Sequence, residues 1–210
     1  MGEVMQKPIL KMVDTSVFCD AGKFQEAYLK MNTERKQKID RYRFDSDKRL
    51  SLGAGLLLQE GLSELGISAY SLSFGKHGKP YLKGQNHLFF NLSHSGTVAV
   101  CAFFNREVGV DIQKMKPVSQ KLMKKVTSEE EFAYFMTLDE VEQQEKFARL
   151  WTVKESYMKY SGTGLSLAPA KLTVTFGESV SITCDGQKAN VVFEEHPIKD
   201  YQITLCYQRH

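Results

Sequence analysis

The sequence predicts an α+β fold of two similar lobes, and three observations support this. Each half of the chain carries helix-like segments followed by several short, alternating runs typical of antiparallel strands. No low-complexity linker separates the halves. The alternating runs that end in Cys101 and Cys206 are candidates for equivalent elements of an internal duplication. We therefore predict an N-terminal lobe over residues 1–104 and a C-terminal lobe over residues 105–210, packed tightly together.

The composition is that of an ordinary globular protein with a substantial core. The chain has 210 residues, of which 42% are hydrophobic and 25% charged. No window has the unbroken apolar length of a membrane span, so we expect no membrane partner. The formal net charge of +3 suits a ligand or partner rich in phosphate or carboxylate, and it does not require nucleic acid.

The cysteines and the N-terminus indicate a reducing compartment. The four cysteines are scattered without metal-ligand spacing, and they are Cys19, Cys101, Cys184 and Cys206. Residues 1–10 contain no long apolar segment of the kind that a secretory signal needs. We therefore expect a cytoplasmic protein, with Cys101 and Cys206 as small core residues.

Hydrophobic periodicity and breaker residues predict the individual elements. Strands are predicted over residues 9–17, 71–74, 88–92, 98–104, 108–113, 171–176, 180–184, 190–194 and 202–207. Helices are predicted over residues 34–42, 46–65 and 140–160, with a further helix beginning after Ser128. Ser46 is a candidate N-cap and Gly66 a candidate C-terminal stop. The residues from Ser128 to Glu131 match a capping box.

One predicted helix and one predicted strand carry polar side chains among apolar neighbours. Trp151, Glu155 and Lys159 are spaced at i, i+4 and i+8, which places them on one helix face. Asp111 and Gln113 are two residues apart in a strand and therefore share a face. Charge in such apolar surroundings is costly unless it is compensated, which favours a functional role.

These side chains offer an oxygen-only ligand set. Two carboxylates, Asp111 and Glu155, with the amide oxygen of Gln113 would suit Mg²⁺, which prefers hard oxygen ligands and adds water and phosphate. A structural alternative stays open. In it, Asp111 only ends a strand, and Glu155 pairs with Lys159 on a solvated helix surface.

Two further segments could bind phosphate. Ser93 and His94 lie in Asn91-Leu92-Ser93-His94-Ser95-Gly96, which could hold a phosphate oxygen or could be only a polar hairpin turn. The segment Gly78-Lys79-Pro80 places a lysine on a stiff loop that backbone can bring close to a ligand.

A basic cluster occupies the first third of the chain. Its cations are Lys30, Arg35, Lys36, Lys38, Arg41, Arg43, Lys48 and Arg49. Interspersed acidic residues favour a solvated helix surface, whereas a functional interpretation takes Arg35, Lys38 and Arg49 as phosphate clamps. Aromatic residues are sparse within the cluster, which argues against a nucleic-acid-binding surface.

These motifs, in this order, resemble those of one enzyme family. The set is Gly78-Lys79-Pro80, Asn91-Leu92-Ser93-His94-Ser95-Gly96, Gly109-Val110-Asp111-Ile112, Trp151-Thr152-Val153-Lys154-Glu155-Ser156 with Lys159, and Gly162-x-Gly164-Leu165-Ser166. From about Arg35 to Ser166 the chain is similar to the 4′-phosphopantetheinyl transferases of the surfactin-synthetase-activating type. Each motif alone is weak, but the ordered set is specific.

The resemblance implies a function and an architecture. The family moves the phosphopantetheine arm of coenzyme A onto a serine of an apo acyl or peptidyl carrier protein and leaves adenosine 3′,5′-bisphosphate. It implies a monomer of two similar α+β lobes, with coenzyme A and Mg²⁺ in an active site between them.

The resemblance also implies roles for individual residues. The implied Mg²⁺ ligands are Asp111 and Glu155, with Gln113 at a position where many members carry a third carboxylate. The implied coenzyme A contacts are Arg35, Lys38, Arg49, Lys79, Pro80, Ser93, His94, Lys154 and Lys159. The implied catalytic residues are Glu155, Asp111, Lys159 and Lys154, and Glu131 falls where the family has an acidic residue near the metal.

The amide at Gln113 leaves a second function open. An amide oxygen can bind a metal ion, or a water can take its place, but it brings no negative charge, so we expect weaker metal binding. The alternative is a pseudoenzyme that binds coenzyme A without catalysing transfer.

Overall fold

A computed structural model of the chain describes residues 5–209. Its helices are α1 (Ala21–Leu29), α2 (Thr33–Asp40), α3 (Asp45–Glu64), α4 (Gln120–Val126), α5 (Glu129–Phe135) and α6 (Glu140–Ser161). Its strands are β1 (Ile9–Asp14), β2 (Leu72–Phe74), β3 (Pro80–Leu82), β4 (Phe89–Ser95), β5 (Val98–Phe104), β6 (Val108–Lys114), β7 (Leu172–Thr175), β8 (Ser181–Cys184), β9 (Gln187–Lys188), β10 (Val191–Glu195) and β11 (Tyr201–Gln208). The predicted α+β class is confirmed.

The strands form four antiparallel sheets, and two of them are alike in build. The strand orders are β1-β5-β4, β10-β11-β6, β2-β3 and β7-β8-β9. The first takes all its strands from residues 9–104, and the second takes all its strands from residues 108–208. The lobe boundary at residue 104 stays a prediction.

A long helix packs closely on each of these two sheets, and each contact depends on a glycine of its own. A Cβ added at Gly61 of α3 would lie 2.3 Å from a ring carbon of Phe103 on β5. A Cβ added at Gly109 of β6 would lie 2.0 Å from the carbonyl oxygen of Ser156 on α6. Helix and sheet therefore approach more closely than a larger residue would allow.

Polar side chains of β4 connect it to β6, at the place where the two sheets meet. Asn91 Oδ1 accepts from the N–H of Val110 at 2.9 Å, and Ser95 Oγ accepts from the N–H of Lys114 at 3.0 Å. Between them, Ser93 Oγ donates to Asp111 Oδ1 at 2.7 Å. Residues 91–95 therefore belong to a strand, and the predicted polar turn is confined to the residues that follow.

The helix ends agree with the predicted capping residues in one helix and differ from them in another. The capping box from Ser128 to Glu131 is confirmed, with reciprocal hydrogen bonds of 2.8 and 3.2 Å. The prediction of Ser46 as an N-cap is wrong, because α3 begins at Asp45 and its N-cap residue, Phe44, has no side chain able to cap. Helices α1 and α4 were not predicted, and the first strand ends at Asp14 in a 3₁₀ helix.

Burial agrees with the predicted core. Cys101 and Cys206 are fully buried, as expected of small core residues. Within residues 5–209, no helix is both long and apolar enough to cross a membrane.

Candidate active site

A cleft of about 470 Å³ lies where the two similar sheets and their helices meet. Its lining residues come from six elements of both halves of the chain: Arg35 and Lys38 of α2, Ser51 and Ala54 of α3, Pro80 of β3, Leu92, Ser93 and His94 of β4, Asp111, Ile112 and Gln113 of β6, and Trp151, Glu155 and Lys159 of α6, with Tyr42 from the connection before α3.

Helix α6 presents the polar face that its spacing predicts. Trp151, Glu155 and Lys159 all line the cleft, one turn apart. Across from them, β6 contributes Asp111 and Gln113. A carboxylate from a strand and a carboxylate from a helix thus share one cavity, with an amide beside them.

Asp111 is the centre of the hydrogen bonds in the cleft. Its side chain is 7% exposed, and its Oδ1 accepts from Ser93 Oγ at 2.7 Å and from Lys159 Nζ at 2.6 Å. Lys159 Nζ also donates to Ser93 Oγ at 2.8 Å and to the carbonyl of Val110 at 3.2 Å. The other oxygen, Asp111 Oδ2, is buried and has no hydrogen-bond partner among residues 5–209. Such an orphaned carboxylate oxygen is costly unless a ligand satisfies it.

Glu155 faces the same cleft without a hydrogen bond or an ion pair to any described residue. Burial raises the pKa of its carboxyl group, and the nearby Asp111 raises this pKa further, whereas Lys159 opposes the shift. The structural alternative for Glu155 is therefore wrong, because Lys159 forms its ion pair with Asp111 rather than with Glu155.

Cations and a histidine border the cleft on the side of α2 and β4. Burial lowers the pKa of Arg35, and the pKa of Lys38 falls through desolvation and the proximity of Arg35. Neither cation is paired with a carboxylate in the described part of the chain. His94 also has a lowered pKa, caused first by burial and then by Lys159 and Lys38. This border therefore carries two cations, Arg35 and Lys38, that form no ion pair with a carboxylate among residues 5–209.

Two of the predicted phosphate ligands, Arg49 and Lys79, do not present their charge to the cleft. Arg49 does not line it, since it lies two residues from Ser51, on a different side of α3. Lys79 Nζ donates to Glu107 Oε2 at 2.6 Å, to the carbonyl of Tyr160 at 3.0 Å and to that of Val108 at 3.2 Å.

Lys154 points away from the cleft, and this corrects its predicted position near a pyrophosphate. Its side chain is 0% exposed, and its Nζ donates to Glu131 Oε2 at 2.5 Å, to the carbonyl of Val126 at 2.9 Å and to that of Pro169 at 3.1 Å. The expectation for Glu131 is corrected with it, since that carboxylate binds Lys154 and the N–H groups of Ser128 and Val174. Both residues belong to a buried junction beside α5.

Sequence patterns did not identify every residue of the cleft. Ser51 and Ala54 lie three residues apart on α3, in an apolar stretch that gave no functional signal. Tyr42 is one of the few aromatic residues within the basic cluster, and no sequence pattern gave it a role. The partner of Lys79, Glu107, is 28 residues away in sequence and had no pattern that could have linked the two.

Comparisons with known proteins show similarity over most of the chain. A family model described as "4'-phosphopantetheinyl transferase superfamily" matches residues 107–206, and one described as "4'-phosphopantetheinyl transferase, N-terminal" matches residues 20–105. The chain is 30% identical over 184 residues to the 4′-phosphopantetheinyl transferase Sfp of Bacillus subtilis, covering 85% of this chain and 80% of that protein. It is 28% identical to the 4′-phosphopantetheinyl transferase gsp of Aneurinibacillus migulanus, covering 84% and 76% respectively.

Proposed function

Since the chain belongs to the 4′-phosphopantetheinyl transferase superfamily, we propose that it transfers the 4′-phosphopantetheine group of coenzyme A to a serine of an apo acyl or peptidyl carrier protein. The second product is adenosine 3′,5′-bisphosphate. The observation that carries the proposal is the cleft in which Asp111, Glu155 and Lys159 converge beside the unpaired cations Arg35 and Lys38.

The donor set of the cleft fits a magnesium ion. Asp111 Oδ2 is a buried carboxylate oxygen without a partner in the described part of the chain, and Glu155 and Gln113 line the same cavity. These three side chains would hold Mg²⁺ through oxygen, the ligand type that it prefers. Bound there, the ion would neutralise charge on the pyrophosphate of coenzyme A. Among residues 5–209 no group of three or more His, Cys, Asp and Glu side chains is placed to hold a metal ion, so the proposed site needs the amide of Gln113 as its third protein ligand.

Glu155 is the proposed base for the serine hydroxyl of the carrier protein. It lines the cleft and has no hydrogen bond or ion pair to another residue among 5–209, so a carboxylate oxygen is available to accept the proton. Burial raises its pKa in the metal-free cleft, and a bound Mg²⁺ would oppose this shift. The hydroxyl oxygen attacks the phosphorus that bears the pantetheine arm, its proton passes to Glu155 directly or through a water, and the bond to the bisphosphate leaving group breaks. A carboxylate that also binds a metal can act only through a free oxygen, so both proton routes stay open.

Cations of the cleft would bind and stabilise the phosphates. Lys159 Nζ donates to Asp111, Ser93 and the carbonyl of Val110, but its side chain is 25% exposed, whereas that of Lys79 is 6% exposed. The reacting phosphate would take the place of one of these acceptors, and the ammonium would then stabilise its charge. Arg35 and Lys38 have no carboxylate partner among residues 5–209, and they would gain more from a bound phosphate than paired cations would. Ser93, His94 and Pro80 complete the proposed coenzyme A contacts.

The remaining expectations follow the same family pattern. We propose a cytoplasmic monomer whose lobes divide near residue 104, with the carrier protein docking beside the cleft. Binding to nucleic acid and to membranes is not part of the proposal.

Mass spectrometry of carrier proteins tests the function directly. The protein is incubated with coenzyme A, Mg²⁺ and separate apo carrier proteins of fatty-acid, polyketide and peptide type, with EDTA as the control. The proposal predicts a mass gain of one phosphopantetheine on the carrier serine, release of the bisphosphate, and loss of both in EDTA. The absence of a mass gain on every carrier would contradict it.

The amide at Gln113 favours one second candidate, a coenzyme A-binding pseudoenzyme. It would show binding of coenzyme A by calorimetry without release of adenosine 3′,5′-bisphosphate. Release of bisphosphate at any Mg²⁺ concentration would exclude it.

A further inference from the structure

We propose that Lys79 is a positioning residue that fixes α6 against β6 and thereby sets the separation of Glu155 and Lys159 from Asp111. This inference rests on the proposed function, because the separation matters for catalysis only if these three residues carry out the transfer. It replaces the expectation that the Lys79 ammonium binds a phosphate of coenzyme A.

The ammonium of Lys79 has no hydrogen-bond donor left for a ligand. Lysine carries three N–H donors, and Lys79 Nζ has three acceptors in the protein: Glu107 Oε2 at 2.6 Å, the Tyr160 carbonyl at 3.0 Å and the Val108 carbonyl at 3.2 Å. The residue is 8% exposed, and the Glu107 carboxylate compensates its charge. A phosphate would have to displace one of these acceptors.

Two of the three acceptors belong to the elements that carry the reacting side chains, and the third directly adjoins one of them. Glu107 immediately precedes β6 and Val108 begins it, three residues before Asp111. Tyr160 lies in the last turn of α6, directly after Lys159. Lys79 itself comes from the loop before β3, so one side chain of the N-terminal half connects two elements of the C-terminal half.

A close backbone contact lies at the same crossing point. A Cβ added to Gly109 would lie 2.0 Å from the carbonyl oxygen of Ser156 and 2.5 Å from the backbone nitrogen of Tyr160. Strand and helix therefore approach closely at Gly109 and Tyr160. Tyr160 and Val108, the neighbour of Gly109 in the chain, are the two residues whose carbonyls accept from Lys79. A small separation there would move Lys159 relative to Asp111.

Local structure fixes Lys79 in this position. The N–H of Gly75 donates to the Lys79 carbonyl at 2.9 Å, and Gly78 adopts φ +81°, a conformation that glycine supplies readily. The aliphatic stem of Lys79 lies beside Gly162, which ends α6 in the left-handed conformation, and its ammonium is 5.6 Å from the centre of the Tyr81 ring. The loop, the helix end and the strand are thus held by one residue.

Kinetics of Lys79→Met distinguish positioning from phosphate binding. The variant retains the stem and removes all three donors, and Lys76→Met changes an exposed lysine of the same turn as the matched control. We expect kcat for carrier modification to fall by roughly 10- to 100-fold, because small misplacements of reacting groups reduce rates strongly. The KM for coenzyme A should stay within about twofold, and the preference for coenzyme A over 3′-dephospho-coenzyme A should be unchanged.

A phosphate-binding role gives the opposite kinetics. A raised KM with unchanged kcat, or a reduced preference for the 3′-phosphate, would overturn the inference. If Lys79→Met does not fold, Glu107→Gln keeps the ammonium and weakens its ion pair, and a smaller loss of kcat at constant KM is expected. Wild-type kcat in a folded variant of either residue would overturn the inference as well.

Hydrogen exchange provides a measurement that does not depend on activity. In Lys79→Met, amides of residues 108–111 and 155–161 should exchange faster than in wild type, while those of β1 and β5 should not change. Unchanged exchange in both segments would contradict the proposed connection. Failure of the wild-type protein to modify any carrier would contradict the proposed function, and the exchange result would still decide whether Lys79 holds α6.

Discussion

The two sides of α6 carry the same kind of ion pair and are proposed to do different work. On the cleft side, Lys159 pairs with Asp111 at 2.6 Å and retains a side-chain exposure of 25%. On the buried side, Lys154 pairs with Glu131 at 2.5 Å and has an exposure of 0%. The lysines are five residues apart, so the difference comes from their surroundings and not from their chemistry.

Saturation of hydrogen bonds separates the two pairs. Glu131 accepts from Lys154 and from the N–H groups of Ser128 and Val174, and two backbone carbonyls complete the shell of Lys154. On the cleft side, Asp111 Oδ2 has no described partner. A saturated pair holds elements together, whereas an unsaturated pair leaves an atom with which a ligand can interact.

Removing the carboxylate of Glu155 should have the largest effect on the cleft side. Glu155→Gln should lower the rate of carrier modification on the order of 10²- to 10⁴-fold, as expected from the loss of a general base. Single-turnover transfer followed by mass spectrometry checks this. A rate within threefold of wild type would mean that Glu155 neither accepts the proton nor binds the metal.

In metal-free buffer, the same substitution should raise the free energy of unfolding. The raised pKa of Glu155 determines the direction of this change and its dependence on pH. A pKa raised above the ordinary value of 4.5 means that folding favours the neutral form. The neutral carboxyl group of Glu155 therefore stabilises the fold fully below pH 4.5, and this contribution is lost as the pH rises through the folded-state pKa. In EDTA, the melting temperature of Glu155→Gln should therefore exceed that of wild type by more at pH 7.5 than at pH 4. An equal difference at both values would contradict the raised pKa.

The contact between α6 and β6 should be intolerant of even one methyl group. Gly109→Ala would place its Cβ against backbone atoms of Ser156 and Tyr160, which cannot move away as a side-chain end could. We expect a loss of about 3 kcal/mol or more in the free energy of unfolding, measured by denaturant titration. Gly177→Ala serves as the control, since nothing lies within 4 Å of a Cβ added there.

Restoring a third carboxylate should have the smallest effect. Gln113→Glu adds negative charge beside Asp111 and Glu155, so the Mg²⁺ concentration for half-maximal activity should fall several-fold. Gln187→Glu makes the same charge change at an exposed strand outside the cleft. A metal titration that is unchanged at residue 113, or changed equally by both variants, would remove Gln113 from the proposed metal site.

Sequence reasoning predicted those features that depend on local periodicity. The spacing of Trp151, Glu155 and Lys159 was enough to place them on one helix face, and the structure brings that face into the cleft. The capping box at Ser128 could also be predicted from the sequence, because its two hydrogen bonds lie within four residues. Such features require no knowledge of what packs against the element.

Features that depend on distant partners could not be predicted. The sequence motif gives no reason to assign different positions to Lys154 and Glu155. Only the packing of α5 and of the segment around Pro169 shows that Lys154 is buried outside the cleft. Lys79 likewise gave no sign that Glu107, Val108 and Tyr160 would take all its donors. Alternation could not place the polar side chains of β4 against β6 either, since these contacts join two different sheets.

The most direct test of the account compares Lys159→Met with Lys154→Met in one experiment, measuring transfer rate and denaturant stability on the same samples. We predict that Lys159→Met loses roughly 10²- to 10³-fold in rate. It should lose less stability than Lys154→Met, because Lys159 is 25% exposed to the cleft and solvent there partly compensates Asp111 for its lost cation. Lys154→Met should lose about 3–5 kcal/mol of stability, since it leaves Glu131 buried without its cation, while the protein that remains folded keeps a nearly normal rate. A folded Lys154→Met protein that is inactive, beside a Lys159→Met protein that transfers normally, would contradict the assignment of the two sides of α6.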